Sequence, residues 1–348
     1  MDNKNVEKKR IVWLDALKGL AMIQVVLGHV LLGYTENYAF PLDDKWMTIL
    51  MKWIYTWHMP MFIMLSGISF SLSMYCDNKV NRNKIKRQII NLLLLYIIFS
   101  IALGVLKIFF SNYVDNRMNV KGLFVGILLP DTIMWYLWVL IIYYIIMIVI
   151  ERFFLNHTRL VIFISFLVFL ITKFISYYVP IRFCINNLVA FFVFFQIGLH
   201  IKDVYKNIKR NIKMLVVIFA LFATIFYFSA FLLEKDVEIM IVGSMLSFLI
   251  PISLLLIFTS FDREYIIINK LGYASLIIYL VHTYVVTAIK AFVIRTHALS
   301  SGCVATVVTT LLGILFPYYV YVLSKKIIAI KYLFSPILLF DKYNKRVG

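Results

Sequence analysis

This sequence is poor in acids and in cysteine. Against 35 lysines and arginines it sets only 17 aspartates and glutamates, and charged residues of both signs make up 15% of its 348 positions. The three cysteines, Cys76, Cys184 and Cys303, fall in separate segments without metal-ligand spacing, so neither a disulfide framework nor a zinc site is implied. Nothing resembles a separate soluble domain, and the longest polar connection, near 111–132, is short. No internal repeat is visible, which weighs against a transporter built from inverted halves. A signal peptide is not expected either. The first apolar stretch is too long for an h-region, carries Asp15 and Lys18, and lacks an A-x-A-like cleavage site.

What is abundant is apolar surface. Hydrophobic residues reach 63% with a mean hydropathy of +0.90, more than a soluble domain of this size can bury. The reading is an all-α polytopic membrane protein of about ten transmembrane helices, near 11–34, 54–75, 89–110, 133–150, 160–178, 184–201, 214–233, 239–259, 273–294 and 303–323. Residues 1–348 form one integral-membrane domain, with a basic N-terminus at 1–10 and a basic tail at 324–348. Tyr34, Trp46, Trp53, Trp57 and Trp135 fall near span ends, as interfacial aromatics do.

The net charge of +18 is a topology signal rather than a nucleic-acid footprint. Basic residues gather in alternate loops: Lys4 to Arg10, Lys79 to Arg87, Lys202 to Lys213, and Lys325 onward. The loops between hold acids such as Asp43, Asp44, Glu234, Asp236 and Glu238. By the positive-inside rule both termini are cytoplasmic and the number of spans is even. The sequon Asn156-His157-Thr158 then falls in the cytoplasm and is silent.

Four patches hold groups able to do chemistry. The first apolar stretch carries Asp15, Lys18 and His29. Each such charge costs about 2.5–3.5 kcal/mol at a helix centre on insertion scales, so three on one helix call for a use. Eleven residues turn a helix back to within about 20° of its start, which puts Lys18 and His29 on one face, with Asp15 about 40° from His29. The same count separates Lys18 and His29 by about 16 Å along the axis, so they cannot act on one atom and Asp15 cannot orient the ring. Asp15 and Lys18, at i and i+3, are the plausible pair. A histidine titrating near neutrality can take a proton from a hydroxyl attacking an acyl carbon. The bland alternative is a structural ion pair and a hydrogen-bonded core histidine.

The second patch is TWHMPMFIMLSGISFS, where His58 and Pro60 are expected to start a helix and Ser66-Gly67 to permit close helix contact. The third is the basic run KVNRNKIKRQ, whose Lys84, Lys86 and Arg87 serve either as orientation charge or as contacts to cofactor phosphates. The fourth, LGYASLIIYLVHTYVV, has Gly272 and Ser275 as expected caps, and mid-span His282 with Tyr279 one turn earlier. For His58 and His282 the alternative is a satisfied structural hydrogen bond.

Taken in order, LDALKGLAMIQVVLGH, HMPMFIMLSG, the basic run to Arg87, WYLWVL, FFQIGLHIK and LGYASLIIYLVH resemble the acyltransferase 3 family of integral-membrane acyltransferases across nearly the whole chain. The lysine form ending in Gly28-His29 looks like the branch of fucose 4-O-acetylase-like proteins. The resemblance implies O-acetyl transfer from acetyl-CoA, without a metal, to a carbohydrate or lipid-linked glycan in the bacterial cytoplasmic membrane. The family's basic–histidine pair maps onto Lys18 and His29, where many members have arginine in place of the lysine and so a bidentate fork that Lys18 lacks. Catalytic roles are expected for His29, Lys18, Asp15 and His58, with His58 the first candidate partner of His29. CoA contacts are expected from Lys84 and Arg87, and acceptor contacts from Tyr279, His282 and Ser66. Membrane lipid and the glycan are the expected partners, nucleic acid is not, and a second copy or a separate glycan-assembly protein is compatible. No hydrolase domain of the SGNH type follows the last span, so the chain completes the transfer itself or hands the acyl group on. The rival reading is a glycan exporter of the same ten-helix plan.

Overall fold

The computed structural model describes residues 11–76, 79–109, 120–130, 132–154, 158–204, 207–260 and 264–339. The basic N-terminus, residues 111–119 and 131 of the loop at 111–132 that precedes the fourth predicted span, the sequon residues Asn156 and His157, and the end of the tail lie outside the described residues. In order the elements are α1 (Val12–Thr35), α2 (Asp44–Met74), the antiparallel pair β1 (Tyr75–Cys76) and β2 (Lys79–Val80), α3 (Arg82–Phe109), α4 (Val120–Leu128), α5 (Trp135–Phe154), α6 (Thr158–Tyr178), α7 (Phe183–Val204), α8 (Arg210–Leu232), α9 (Asp236–Ser260), α10 (Ile266–Tyr273), α11 (Ser275–Thr296), α12 (Gly302–Lys326) and α13 (Ile328–Phe334).

The chain is a multi-pass, all-helical membrane protein. Among the described residues eight helices, α1, α3, α6, α7, α8, α9, α11 and α12, are long and apolar enough to cross a membrane. Helices α2 and α5 overlap the other two predicted spans but are not among these eight. The apolar stretch of α5 is shorter, Trp135–Ile150. Helix α2 begins about ten residues before the predicted span at 54, since its first turns carry Asp44, Lys45 and Lys52.

That longer α2 corrects one expectation: His58 and Pro60 do not start the helix but lie in its middle. A proline inside a membrane helix removes one ladder bond, and neighbouring groups within the bundle make this tolerable. Lys52 is accommodated by placing its ammonium over the Phe231 ring at 5.0 Å. A second correction concerns Gly272 and Ser275, expected as helix caps. Gly272 lies within the short helix α10, and α11 starts at Ser275 after Ala274, with no side-chain cap bond.

Two compact units make up the chain, Met1–Leu65 with Asn207–Tyr321 and Ser66–Lys206 with Val322–Gly348. Helix α1 is the centre of the first. Its membrane-length window is 61% buried against 17% for α8, which turns Phe219, Phe222 and Phe226 outward. Close backbone approach fixes α10 on α1, because a Cβ at Gly19 would collide with the Ile268 carbonyl and one at Gly272 with the Asp15 carbonyl. Asn269, fully buried, donates to the Val12 carbonyl at 2.7 Å and accepts from the Tyr265 N–H. At the other end of α1, Asn37 donates to the Gly33 carbonyl, capping the helix, and Tyr34 bonds Thr309 of α12 at 2.7 Å. Asp43 ties the start of α2 to α12 by accepting from the Gly302 N–H at 2.7 Å.

The second unit has an aromatic core. Phe70, Tyr143, Tyr144 and Phe195 pack with ring centroids 4.8–6.3 Å apart, and Trp135 meets Phe183 and Phe191. Gly67 lets α2 lie against the Phe195 carbonyl of α7, where no side chain fits.

Candidate active site

Three helices of the first unit each bring one histidine to the same place. His29 comes from α1, His58 from α2 and His282 from α11. The rings of His29 and His282 have centroids 5.3 Å apart. Tyr55 of α2 lies between His29 and His58. Its ring centroid is 6.4 Å from that of His29, edge-on, and 4.8 Å from that of His58. Its hydroxyl is 3.5 Å from His29 Nδ1. Tyr279, one turn before His282, has its ring 6.3 Å from that histidine and is 4% exposed.

The local sequence explains why the chain can bring these rings together. Gly28, beside His29, leaves room for Tyr55, since a Cβ there would stand 3.2 Å from Tyr55 Cε2. His58 and His282 are held by their own helices: each gives its Nδ1–H to the carbonyl four residues back, Ile54 at 2.8 Å and Ile278 at 2.9 Å. A carbonyl only accepts, so in both neutral rings the proton sits on Nδ1 and the lone pair on Nε2. His282 Nε2 accepts from Thr283 Oγ1 at 3.4 Å. These two are nearly sealed, at 2% and 0% exposure, whereas His29 stays partly accessible. Among the described residues no three His, Cys, Asp or Glu side chains converge as metal ligands.

The other predicted residues belong to other parts of the two units. Asp15 and Lys18 lie on the same helix toward its N-terminus, in the stretch covered by α10, and their charges act on each other. Ser66, Lys84 and Arg87 belong to the second unit. There Ser66 Oγ bonds the Tyr136 hydroxyl at 2.6 Å. Lys84 and Arg87 are exposed in the first turns of α3, whose start Asn81 caps through the Lys84 N–H.

The partner geometry differs from expectation in two ways. The ring that meets His29 is that of His282, while His58 contacts Tyr55. Tyr55 itself was missed, although the signal was present. It precedes His58 by three residues, the same spacing that drew attention to Tyr279 before His282.

Chemically, the cluster offers one partly accessible imidazole beside two buried ones. That suits a base taking a proton from a neutral hydroxyl. The family model described as an acyltransferase domain matches residues 11–322, from the first turn of α1 almost to the end of α12. No curated protein and no solved structure matches the chain.

Proposed function

This chain belongs to the acyltransferase 3 family, and we propose that it transfers an acetyl group from acetyl-CoA to a hydroxyl of a cell-surface carbohydrate or lipid-linked sugar. The observation that carries this reading is the partly accessible His29 at the meeting of α1, α2 and α11. The acceptor oxygen attacks the thioester carbonyl while its proton passes to the imidazole. The carbon–sulfur bond then breaks, and the same proton goes to the departing thiolate. The products are an O-acetyl ester and free CoA, and His29 returns to its starting state. General base catalysis of this kind contributes on the order of 10²–10⁴-fold.

The surrounding roles follow from charge and placement. Lys84 and Arg87, exposed and basic, suit the phosphates of CoA. Lys18 and Asp15 set the charge of the α1 face between the membrane surface and the base. Sided by its basic loops, the protein keeps both termini in the cytoplasm of a bacterium and reaches the donor from that side.

Replacing His29 with alanine tests this reading. With the protein expressed and inserted as wild type, acetyl transfer falls at least about a hundredfold, read as acetylated surface glycan by mass spectrometry. Unchanged acetylation would remove the mechanism.

A further inference from the structure

The three histidines are not equivalent. His58 and His282 spend their Nδ1 hydrogens on the helix that carries them, on the Ile54 and Ile278 carbonyls. His29 instead turns Nδ1 toward a side chain of another helix, the Tyr55 hydroxyl at 3.5 Å. It is also the least buried of the three. A base in this position needs a fixed tautomer, because only one ring nitrogen can receive the substrate proton.

The other candidate orienting groups are distant or have Nδ1 engaged by their own helices. Asp15, the acid of the same helix, is fourteen residues back, about 21 Å along the axis. His282 has given Nδ1 to Ile278, and its Nε2 accepts from Thr283. His58 has given Nδ1 to Ile54, and its ring meets Tyr55. The Tyr55 hydroxyl is the side-chain group within hydrogen-bond distance of His29 Nδ1, and its place is built: the ring lies against Gly28 on one side and His58 on the other.

We propose that Tyr55 is the positioning residue of His29, accepting the Nδ1 hydrogen at its phenol oxygen and so keeping Nε2 free to take the proton of the acceptor hydroxyl. This rests on the acyl-transfer reading above. Tyr55 exchanges no proton. It holds the ring through both protonation states, the task a carboxylate performs in serine hydrolases. A neutral acceptor does this without adding a buried anion among three imidazoles inside a membrane. The 3.5 Å separation is at the long end of hydrogen-bond range, and a small rotation of either ring closes it.

The test is Tyr55→Phe in the full chain, read in two independent ways. Selective ¹⁵N-histidine labelling reports each ring's tautomer. Removing the hydroxyl shifts the His29 signals and leaves those of His58 and His282, which their own backbones set, in place. With acetyl-CoA and acceptor, kcat falls about tenfold to a hundredfold while KM for both substrates is unchanged, as expected for one lost orienting hydrogen bond. Gly28→Ala, which pushes on the Tyr55 ring without deleting its hydroxyl, moves the same His29 signals. Unaltered His29 signals and kcat in Tyr55→Phe, with His29→Ala inactive, would overturn the proposal. A shifted His29 signal in a background where His29→Ala still transfers acetyl would instead sink the catalytic reading and leave Tyr55 as the residue that sets the ring.

Discussion

The two units differ in how many buried polar groups they leave unpaired among the described residues. In the second, tyrosine hydroxyls inside the aromatic core are matched: Tyr143 donates to the Leu188 carbonyl at 2.8 Å, Tyr136 pairs with Ser66 at 2.6 Å, and Tyr96 donates to the Ile127 carbonyl at 2.6 Å. Among the described residues that unit leaves Ser100 Oγ and Asn186 Oδ1 without a partner by hydrogen-bond geometry. The first unit leaves Gln24 Oε1, the indole N–H groups of Trp53 and Trp57, and the hydroxyls of Thr306 and Thr310. A fully paired polar core rigidifies, whereas unpaired buried groups are a cost that a fold keeps for a reason. The second unit is therefore the more fully paired of the two. The first, which holds the histidines, keeps more unpaired groups.

The sharpest way to break that contrast is to attack the packing of the first unit rather than its polar groups. Gly19→Val places a branched side chain where even a Cβ meets the Ile268 carbonyl, so α10 must leave α1. The expected loss is about 3 kcal/mol, at the upper end of overpacking effects. It would show as a lowered thermal midpoint of the purified protein in detergent and as reduced yield. A midpoint within a degree or two of wild type would mean that the α1–α10 contact is not what holds this half of the helix.

How far the molecule was legible in its sequence follows the same division. All three clustered histidines stood out, because a titratable group inside an apolar run is an energetic anomaly visible without a structure. Their convergence was not visible, since it depends on which faces of α1, α2 and α11 meet. Tyr55 was hidden for a related reason: an aromatic in a membrane segment looks like packing until a ring nitrogen is placed beside its hydroxyl. Helix limits were legible where hydropathy changes sharply, as at Val12 and Thr35. They failed at α2, where Asp44, Lys45 and Lys52 resemble a loop although Lys52 is stabilised over Phe231. The short helix α10 was also lost, because its role is set by the glycine contact with α1 and not by its own composition.

A milder test lies in the second unit. Tyr143→Phe deletes one hydroxyl and leaves the ring in contact with Phe192 and Phe195. The Leu188 carbonyl then loses a donor, at a cost of about 1 kcal/mol. Stability should drop by that amount in a chemical or thermal melt while kcat of the folded fraction stays at the wild-type value. A fall in kcat with unchanged stability would carry the chemistry into the second unit and erase the distinction between the units.

The smallest effect has the opposite sign. Thr306 and Thr310 lie one turn apart on α12, 4% and 9% exposed, beside Thr309, which Tyr34 occupies. Their hydroxyls are buried with no partner, so each has lost water and gained no bond in exchange. Valine has nearly the same shape and no polar atom. Thr306→Val and Thr310→Val should therefore be neutral or raise stability by up to about 1 kcal/mol, where Tyr143→Phe lowers it. Activity decides what the orphan hydroxyls are for. A variant that melts higher and transfers acetyl at the wild-type rate marks them as incidental. One that melts higher but transfers more slowly, through a raised KM for the acceptor, shows that the hydroxyls wait for those of a sugar, and that the first unit keeps unpaired groups where its substrate binds.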